Sequence, residues 1–136
     1  MTTNIALFSP GDRFSHSLQV TGAVMEQFAR MSGDWNALHH EASYAARHKF
    51  ERPIVYGNIM GAMLSRLIGM ELPTTEVLIL RQSLDFRTPA YVGDSIILEA
   101  EVSAVVEAVQ AVQLKLSFYS ESKEILCTGT CLFKVF

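Results

Sequence analysis

Asp34 and His39 are the two residues of this chain whose types and spacing best suit proton transfer. They lie five positions apart in the segment from Met31 to His40. A carboxylate and an imidazole that reach one water molecule can activate it and move a proton at a neighbouring carbon, as hydration or dehydration requires. On spacing alone, a structural loop that carries an incidental histidine is the commoner interpretation.

The segment around this pair has the composition of an anchored loop. Gly33, Asp34 and Asn36 favour turns, and they make the segment a poor helix and a poor strand. Trp35 and Leu38 favour burial, so the loop should be held against the protein. Asn36 lies between Asp34 and His39, and its amide can fix the loop by hydrogen bonds. Loops of this kind often carry chemistry.

Other chemistries fit the sequence less well. The histidines and carboxylates near His39, which include His40 and Glu41, have no familiar zinc-ligand spacing. No Gly-x-Ser-x-Gly motif for a serine nucleophile occurs, and the glycines lack the order of a phosphate-binding or dinucleotide-binding loop. We therefore expect no metal and no nucleotide cofactor.

The apolar segment from Gly57 to Gly69 predicts the helix that positions this loop. Its large apolar residues spread around most of a helical wheel, so the helix should be buried, and it is too short to span a bilayer. Gly57, Gly61 and Ser65 recur every four residues and form a stripe of small side chains. Such a stripe lets another backbone or a slender ligand approach closely, although packing is its more common purpose.

The N-terminal part predicts a strand, a capped helix and a second short helix. Arg13 to Val20 alternates as a strand, and Thr21 is a suitable N-cap for a helix that Gly33 ends. Glu41 to His48 predicts a short helical turn after the loop. The chain then becomes extended before Pro53.

The second half changes to the alternation of strands. The predicted strands are Val77 to Arg87, Ser95 to Val106, Val109 to Ser120 and Glu124 to Val135. Short connections between them predict an antiparallel meander. An antiparallel sheet with one apolar helix predicts an α+β fold in which the sheet curls around the helix. The other face of the sheet, or its edge strand, is then available for a dimer interface.

Composition limits the remaining classes. A chain of 136 residues fits a single domain, 1–136, and 49% hydrophobic against 18% charged residues predicts a large core or a subunit interface. The formal charge of -3 argues against non-specific nucleic-acid binding, and no signal peptide or membrane span is indicated. Cys127 and Cys131 lie about 13 Å apart along one predicted strand, so we expect buried free thiols and a cytoplasmic protein.

Several segments together resemble the MaoC-like, (R)-specific enoyl-CoA hydratase family. The similar segments are Phe28 to His39, Phe50 to Gly57, Gln82 to Pro89 and Val92 to Asp94. They cover nearly the whole chain and are far more specific in combination than the Asp34 and His39 pair. The sequence departs from the usual family pattern at Ala37, where proline is usual, and at Tyr56, where histidine is usual.

The resemblance implies a hot-dog fold, usually as a homodimer, and a lyase that reversibly adds water across the 2,3 double bond of an enoyl thioester. The product would be the (R)-3-hydroxyacyl thioester. Asp34 and His39 match the dyad that holds the reacting water, and the backbone N–H of Gly57 matches the oxyanion contact. Ser65 matches a serine that lines the site, where Asn36 and Tyr56 are also expected.

The expected partner is an acyl-CoA or an acyl carrier protein, with coenzyme A or phosphopantetheine present as part of the substrate. The family occurs in fatty-acid breakdown, polyester precursor supply and biosynthetic assembly lines such as polyketide synthesis. Two alternatives stay open: a hot-dog thioesterase, and a non-catalytic acyl-binding subunit in which Tyr56 blocks productive binding.

Overall fold

A computed structural model describes residues 4–136 and shows one five-stranded antiparallel sheet and three α-helices. The strands are β1 (Arg13–Gln19), β2 (Val77–Phe86), β3 (Ser95–Val106), β4 (Ala111–Ser120) and β5 (Ile125–Val135). The α-helices are α1 (Gly22–Ser32), α2 (Ala42–Arg47) and α3 (Gly57–Arg66). These bounds lie within two residues of those expected for every strand, and they confirm the α+β class.

The strand order is β1-β3-β4-β5-β2, with every neighbouring pair antiparallel. The predicted meander is therefore correct only for β3, β4 and β5. β2 and β3 are not neighbours in the sheet. The segment that connects them pairs instead with the backbone just before α3: the N–H of Val55 donates to the carbonyl of Ala90 at 2.8 Å, and the N–H of Val92 donates to the carbonyl of Pro53 at 3.2 Å. β2 is left at an edge beside β5.

The central helix α3 packs its large apolar residues against the sheet and continues into a π-helical turn, Leu67–Glu71. Its buried side chains share the core with Phe118 and Phe133, both fully buried. Each large apolar side chain buried in this way contributes roughly 1.5–3 kcal/mol. The expectation of burial on all sides was wrong. Asn58, Ala62 and Ser65 are exposed, because the sheet of one chain covers only one side of the helix.

Helix α1 delivers the chain to the loop that carries Asp34. The Thr21 hydroxyl accepts a hydrogen bond from the N–H of Val24 at 3.3 Å, so the predicted N-cap is confirmed. Gly33 ends the helix in the left-handed conformation, with φ at 77°, and its N–H donates to the carbonyl of Ala29 at 2.8 Å. A side chain at Gly33 would strain this turn, so glycine fixes the direction in which the loop leaves the helix.

Candidate active site

The loop after α1 is built from short side-chain-to-backbone hydrogen bonds. The Asp34 carboxylate accepts from the N–H of Asn36 at 3.0 Å, and the Asn36 side chain accepts from the N–H of Leu38 at 2.9 Å. The second bond caps a 3-10 turn, Ala37–His39. Local bonding of this kind is typical of Asp and Asn in turns. It shapes the loop at Ala37 without the proline that is usual in the family.

His39 is half-buried, and its ring orientation is set by one backbone contact. Its Nδ1 lies 2.8 Å from the carbonyl oxygen of Ile54. A carbonyl can only accept a hydrogen bond, so Nδ1 must carry the proton. In the neutral ring, Nε2 then holds the free lone pair. The backbone of Ile54 thereby prepares Nε2 of His39 to accept a proton.

Tyr56 is almost fully buried, with 2% of its surface exposed, and it contacts the loop at several points. Its ring stacks on the His39 ring with centroids 4.0 Å apart and planes 26° from parallel. Its hydroxyl donates a hydrogen bond to the backbone carbonyl of Asp34 and lies 2.5 Å from Nε2 of His40. Burial, and secondarily the negative charge of Asp34, raise the pKa of Tyr56 above its ordinary value. Tyr56 therefore keeps its proton at neutral pH.

A mostly apolar pocket of about 310 Å³ lies where the loop meets the start of α3. His39 and Gly57 both line it, together with apolar residues that include Met60 and Phe86. Gly57 is the first residue of α3, where backbone N–H groups have no partner within the helix and the helix dipole is positive. A Cβ at Gly57 would lie 3.0 Å from Cε1 of Phe86, so the ring packs closely on the glycine.

The structure brings some predicted site residues together and leaves others apart. His39 and Gly57 share the pocket, while Tyr56 lies behind His39 and is not among the residues that line it. The side chain of Asp34 is exposed in the single chain and is linked to this cluster through the Tyr56 bond to its carbonyl. Ser65 is exposed and about 12 Å along the helix from Gly57. The assignments of Asp34 and Ser65 to the site remain predictions.

His40 is the contact that the sequence did not identify. Its hydrogen bond to Tyr56 and its packing near Trp35, with ring centroids 5.3 Å apart, make it an anchor of the loop. Its one signal in the sequence is its place beside His39 at the end of the loop.

Neither a metal centre nor a membrane helix is found in the described part of the chain. Within residues 4–136, no group of three or more His, Cys, Asp or Glu side chains is placed to hold a metal ion. None of the helices over the same range is both long enough and apolar enough to cross a membrane. The groups at the site are the imidazole of His39, the nearby loop that carries Asp34, the backbone amide of Gly57 at the start of α3, and an apolar pocket.

Comparisons with known proteins point to one family. The profile of the MaoC like domain matches residues 9–122. The (R)-specific enoyl-CoA hydratase of Aeromonas caviae is 34% identical over 125 residues, which are 92% of this chain and 93% of that protein. The 3-hydroxybutyryl-CoA dehydratase of Methylorubrum extorquens is 27% identical over 117 residues, 86% of this chain and 74% of that protein.

Solved structures agree with the sequence matches. The (R)-hydratase from A. caviae involved in PHA biosynthesis superimposes with a TM-score of 0.90 at 32% identity, covering 95% of this chain and 98% of that one. The R-hydratase PhaJ1 from Pseudomonas aeruginosa, in its unliganded form, also gives 0.90, at 26% identity over 96% of this chain and 84% of that one.

Proposed function

The chain belongs to the MaoC-like domain family, and we propose that it is a hydro-lyase acting on acyl thioesters. It adds water reversibly across the 2,3 double bond of an enoyl thioester and yields the (R)-3-hydroxyacyl thioester. The observation that carries the proposal is the contact between Nδ1 of His39 and the Ile54 carbonyl, which leaves Nε2 as a proton acceptor beside an apolar pocket. The names of the hydratase and dehydratase relatives describe the same reaction in its two directions.

In the proposed reaction, Asp34 and His39 hold the water and exchange its proton. The water oxygen forms a bond to C3 as the 2,3 π bond breaks, and the electron pair moves towards the thioester carbonyl. One proton of the water passes to the pair, and the pair returns a proton to C2. The two groups act on one water, so their titration belongs to the pair rather than to either residue.

Gly57 supplies the third component of this proposal. Negative charge develops on the thioester oxygen as C3 is attacked, and the N–H of Gly57 at the N-terminus of α3 is suited to donate a hydrogen bond to that oxygen. One oxyanion donor of this type is typically worth about 3–4 kcal/mol of transition-state stabilisation. The Phe86 ring packs closely on Gly57 and lines the same pocket.

The pocket favours an acyl chain as the bound group. Its lining is mainly apolar, and its volume of about 310 Å³ is at the small end of the range for small-molecule sites. Coenzyme A is the carrier in the names of the two relatives described above. We propose an acyl-CoA as the first substrate to test, with an acyl carrier protein thioester as the alternative carrier.

A homodimer completes the proposal. β2 is an edge strand whose Leu78 and Leu80 are each 52% exposed. The exposed face of α3 carries the small residues Ala62 and Ser65, which would let another chain approach closely. A second copy packed against β2 and the exposed face of α3 would cover both the exposed leucines and the small residues.

The alternative of a blocked, non-catalytic subunit has less support than the sequence suggested. It required Tyr56 to obstruct the substrate, whereas the Tyr56 ring packs behind His39, outside the pocket lining. No structural observation favours thioester hydrolysis. Release of free thiol without loss of the enoyl chromophore would identify a thioesterase.

The test is hydration of 2-enoyl thioesters on coenzyme A and on an acyl carrier protein, followed by the loss of absorbance of the conjugated double bond. We expect turnover by the wild type and a kcat lower by roughly 10²- to 10⁴-fold in Asp34→Asn. Asp12→Asn is a matched control, because Asp12 also accepts a backbone N–H in a turn, that of Ser9 at 2.8 Å, and should keep wild-type activity. Wild-type inactivity on both carriers across chain lengths, or full activity of Asp34→Asn, would refute the proposal.

A further inference from the structure

We propose that His40 and Tyr56 are positioning residues, which fix the Asp34 backbone and the His39 ring through one hydrogen-bonded chain. We call this chain, from Nε2 of His40 through the Tyr56 hydroxyl to the Asp34 carbonyl, the His40–Tyr56 anchor. Its effect on turnover rests on the proposed function, whereas its effect on the loop does not.

The direction of the hydrogen bonds in the anchor follows from its chemistry. The Asp34 carbonyl can only accept, so the single proton of the Tyr56 hydroxyl must point towards it. His40 then has to donate to the Tyr56 oxygen, which places a proton on its Nε2. The protonated and the neutral forms of His40 can both do this.

The ring of Tyr56 links the anchor to His39, the second residue of the Asp34 and His39 pair. It stacks on His39 at 4.0 Å and packs against Phe28 of α1 at 4.5 Å, both measured between ring centroids. One side chain therefore contacts the backbone of Asp34 through its oxygen and the ring of His39 through its face. Removal of the oxygen alone would separate these two contributions.

The anchor matters because the other bonds that shape the Asp34 end of the loop are local. Asp34 is bonded to Ser32 and Asn36, each two residues away. The far end of the loop is held separately, since Ile54 accepts from His39 through its carbonyl and donates its N–H to the carbonyl of Leu38 at 3.2 Å. The Tyr56 hydroxyl thus joins the Asp34 end of the loop to the residue that precedes α3 and Gly57.

The variant Tyr56→Phe tests the anchor, because it removes the hydroxyl and keeps the ring. Tyr44→Phe is a matched control: Tyr44 also lies against a histidine ring, His48, at 4.7 Å, and its hydroxyl has no hydrogen-bond partner among residues 4–136. We expect Tyr56→Phe to lower kcat by roughly tenfold to 100-fold, the scale of small misplacements of reacting groups, with KM changed less than about twofold. Tyr44→Phe should leave both constants unchanged.

Substitutions at His40 test whether its hydrogen-bond donor is needed. His40→Ala, which has no donor, should lower kcat, and His40→Gln, whose amide can still donate towards the Tyr56 oxygen, should restore most of it. In the Tyr56→Phe background, His40→Ala should have no further effect, since the two residues act through one chain. Additive losses in this double-mutant cycle would overturn the proposal.

Trp35 gives a readout that does not depend on turnover. It is the single tryptophan of the chain and follows Asp34 directly. We expect Tyr56→Phe to lower the fluorescence anisotropy of Trp35 and to increase its quenching by acrylamide, with no change in Tyr44→Phe.

An unchanged Trp35 signal in Tyr56→Phe, or an unchanged kcat in an active enzyme, would overturn the anchor. An inactive wild type would instead refute the proposed function, and the Trp35 measurement would then decide for or against the anchor by itself.

Discussion

Nδ1 of His39 lies 2.8 Å from the carbonyl oxygen of Ile54, and this contact separates the structural use of the imidazole from its chemical use. One nitrogen holds the loop, and the other is left to exchange a proton. Asparagine and glutamine can imitate the two nitrogens separately, because the asparagine amide reaches about as far as Nδ1 and the glutamine amide about as far as Nε2.

The first prediction uses this difference. His39→Asn loses the ring that stacks on Tyr56 but keeps a donor for the Ile54 carbonyl, and its kcat should fall roughly 10²- to 10⁴-fold. His39→Gln loses the same ring and a similar amount of activity, and it should be about 1 kcal/mol less stable than His39→Asn, since the Ile54 bond is also lost. Urea unfolding and the hydration assay measure the two effects. Equal stability losses in the two variants would contradict the assignment of Nδ1 to the structural bond with Ile54.

The second prediction concerns the close packing of Phe86 on Gly57. In Gly57→Ala the new methyl would lie 3.0 Å from Cε1 of Phe86, so the half-exposed ring must move within the pocket that both residues line. We expect kcat/KM to fall by roughly tenfold through displacement of the substrate, with little change in stability.

Gly69→Ala is the control for this substitution, because nothing lies within 4 Å of the added methyl at that position. It should leave kcat/KM unchanged. If Gly57→Ala behaves like Gly69→Ala, the substrate does not bind in the pocket beside Gly57 and Phe86.

The third prediction concerns alkaline pH. Cys127 and Cys131 are free and fully buried, as the sequence predicted, and burial raises the pKa of each thiol from 9.0 to about 11. The folded state therefore keeps these protons at pH values where the unfolded chain releases them. Stability contributed in this way is complete below pH 9 and is lost as the pH rises through about 11, by about 2 kcal/mol per thiol.

Urea unfolding between pH 8 and pH 11 measures this loss. Cys131→Ala should show a flatter decline of the free energy of unfolding with pH. Val112→Ala also removes buried volume but no titrating group, so it should be destabilised at every pH with the wild-type slope. A wild-type slope in Cys131→Ala would contradict the prediction.

The fourth prediction addresses the proposed homodimer. Ala62 is exposed on α3, so Ala62→Arg should leave the fold of one chain intact and obstruct a second copy. We expect the dimer dissociation constant to rise by about tenfold or more, equivalent to at least about 1.4 kcal/mol. Sedimentation measures the shift. Ala23→Arg, at an exposed alanine of α1, should have no effect, and a monomeric wild type would refute the dimer itself.

Local sequence patterns predicted most of the elements. Thr21 and Gly33 marked the ends of α1 because capping depends on residues within one turn of the cap. The alternation of β3 gave its bounds, Ser95–Val106, without error, because alternating burial is also a local property. The apolar run from Gly57 identified the central helix for the same reason.

Contacts between distant segments could not be predicted in this way. β2 pairs with β5, and the segment from Ala90 to Val92 pairs with Pro53 to Val55. No local pattern encodes either of these pairings between distant segments. The bond between His40 and Tyr56 joins side chains 16 positions apart, at sites with no shared periodicity. Tyr56 was identified as a departure from a family pattern and expected to line the site, whereas its contacts behind His39 required coordinates.

The position of β1 beside β3 has a consequence for the order in which the protein folds. Arg13 pairs with Glu101, about 90 positions later in the chain, so β1 has no partner strand until most of the protein has been synthesised. Helix α1 and the Asp34 loop follow β1 directly in the chain. Pairing over such a distance is slow, since a long segment of chain must be closed before any contact is gained. The loop that carries the candidate chemistry is made early, but we expect it to be fixed in place among the last parts of the molecule.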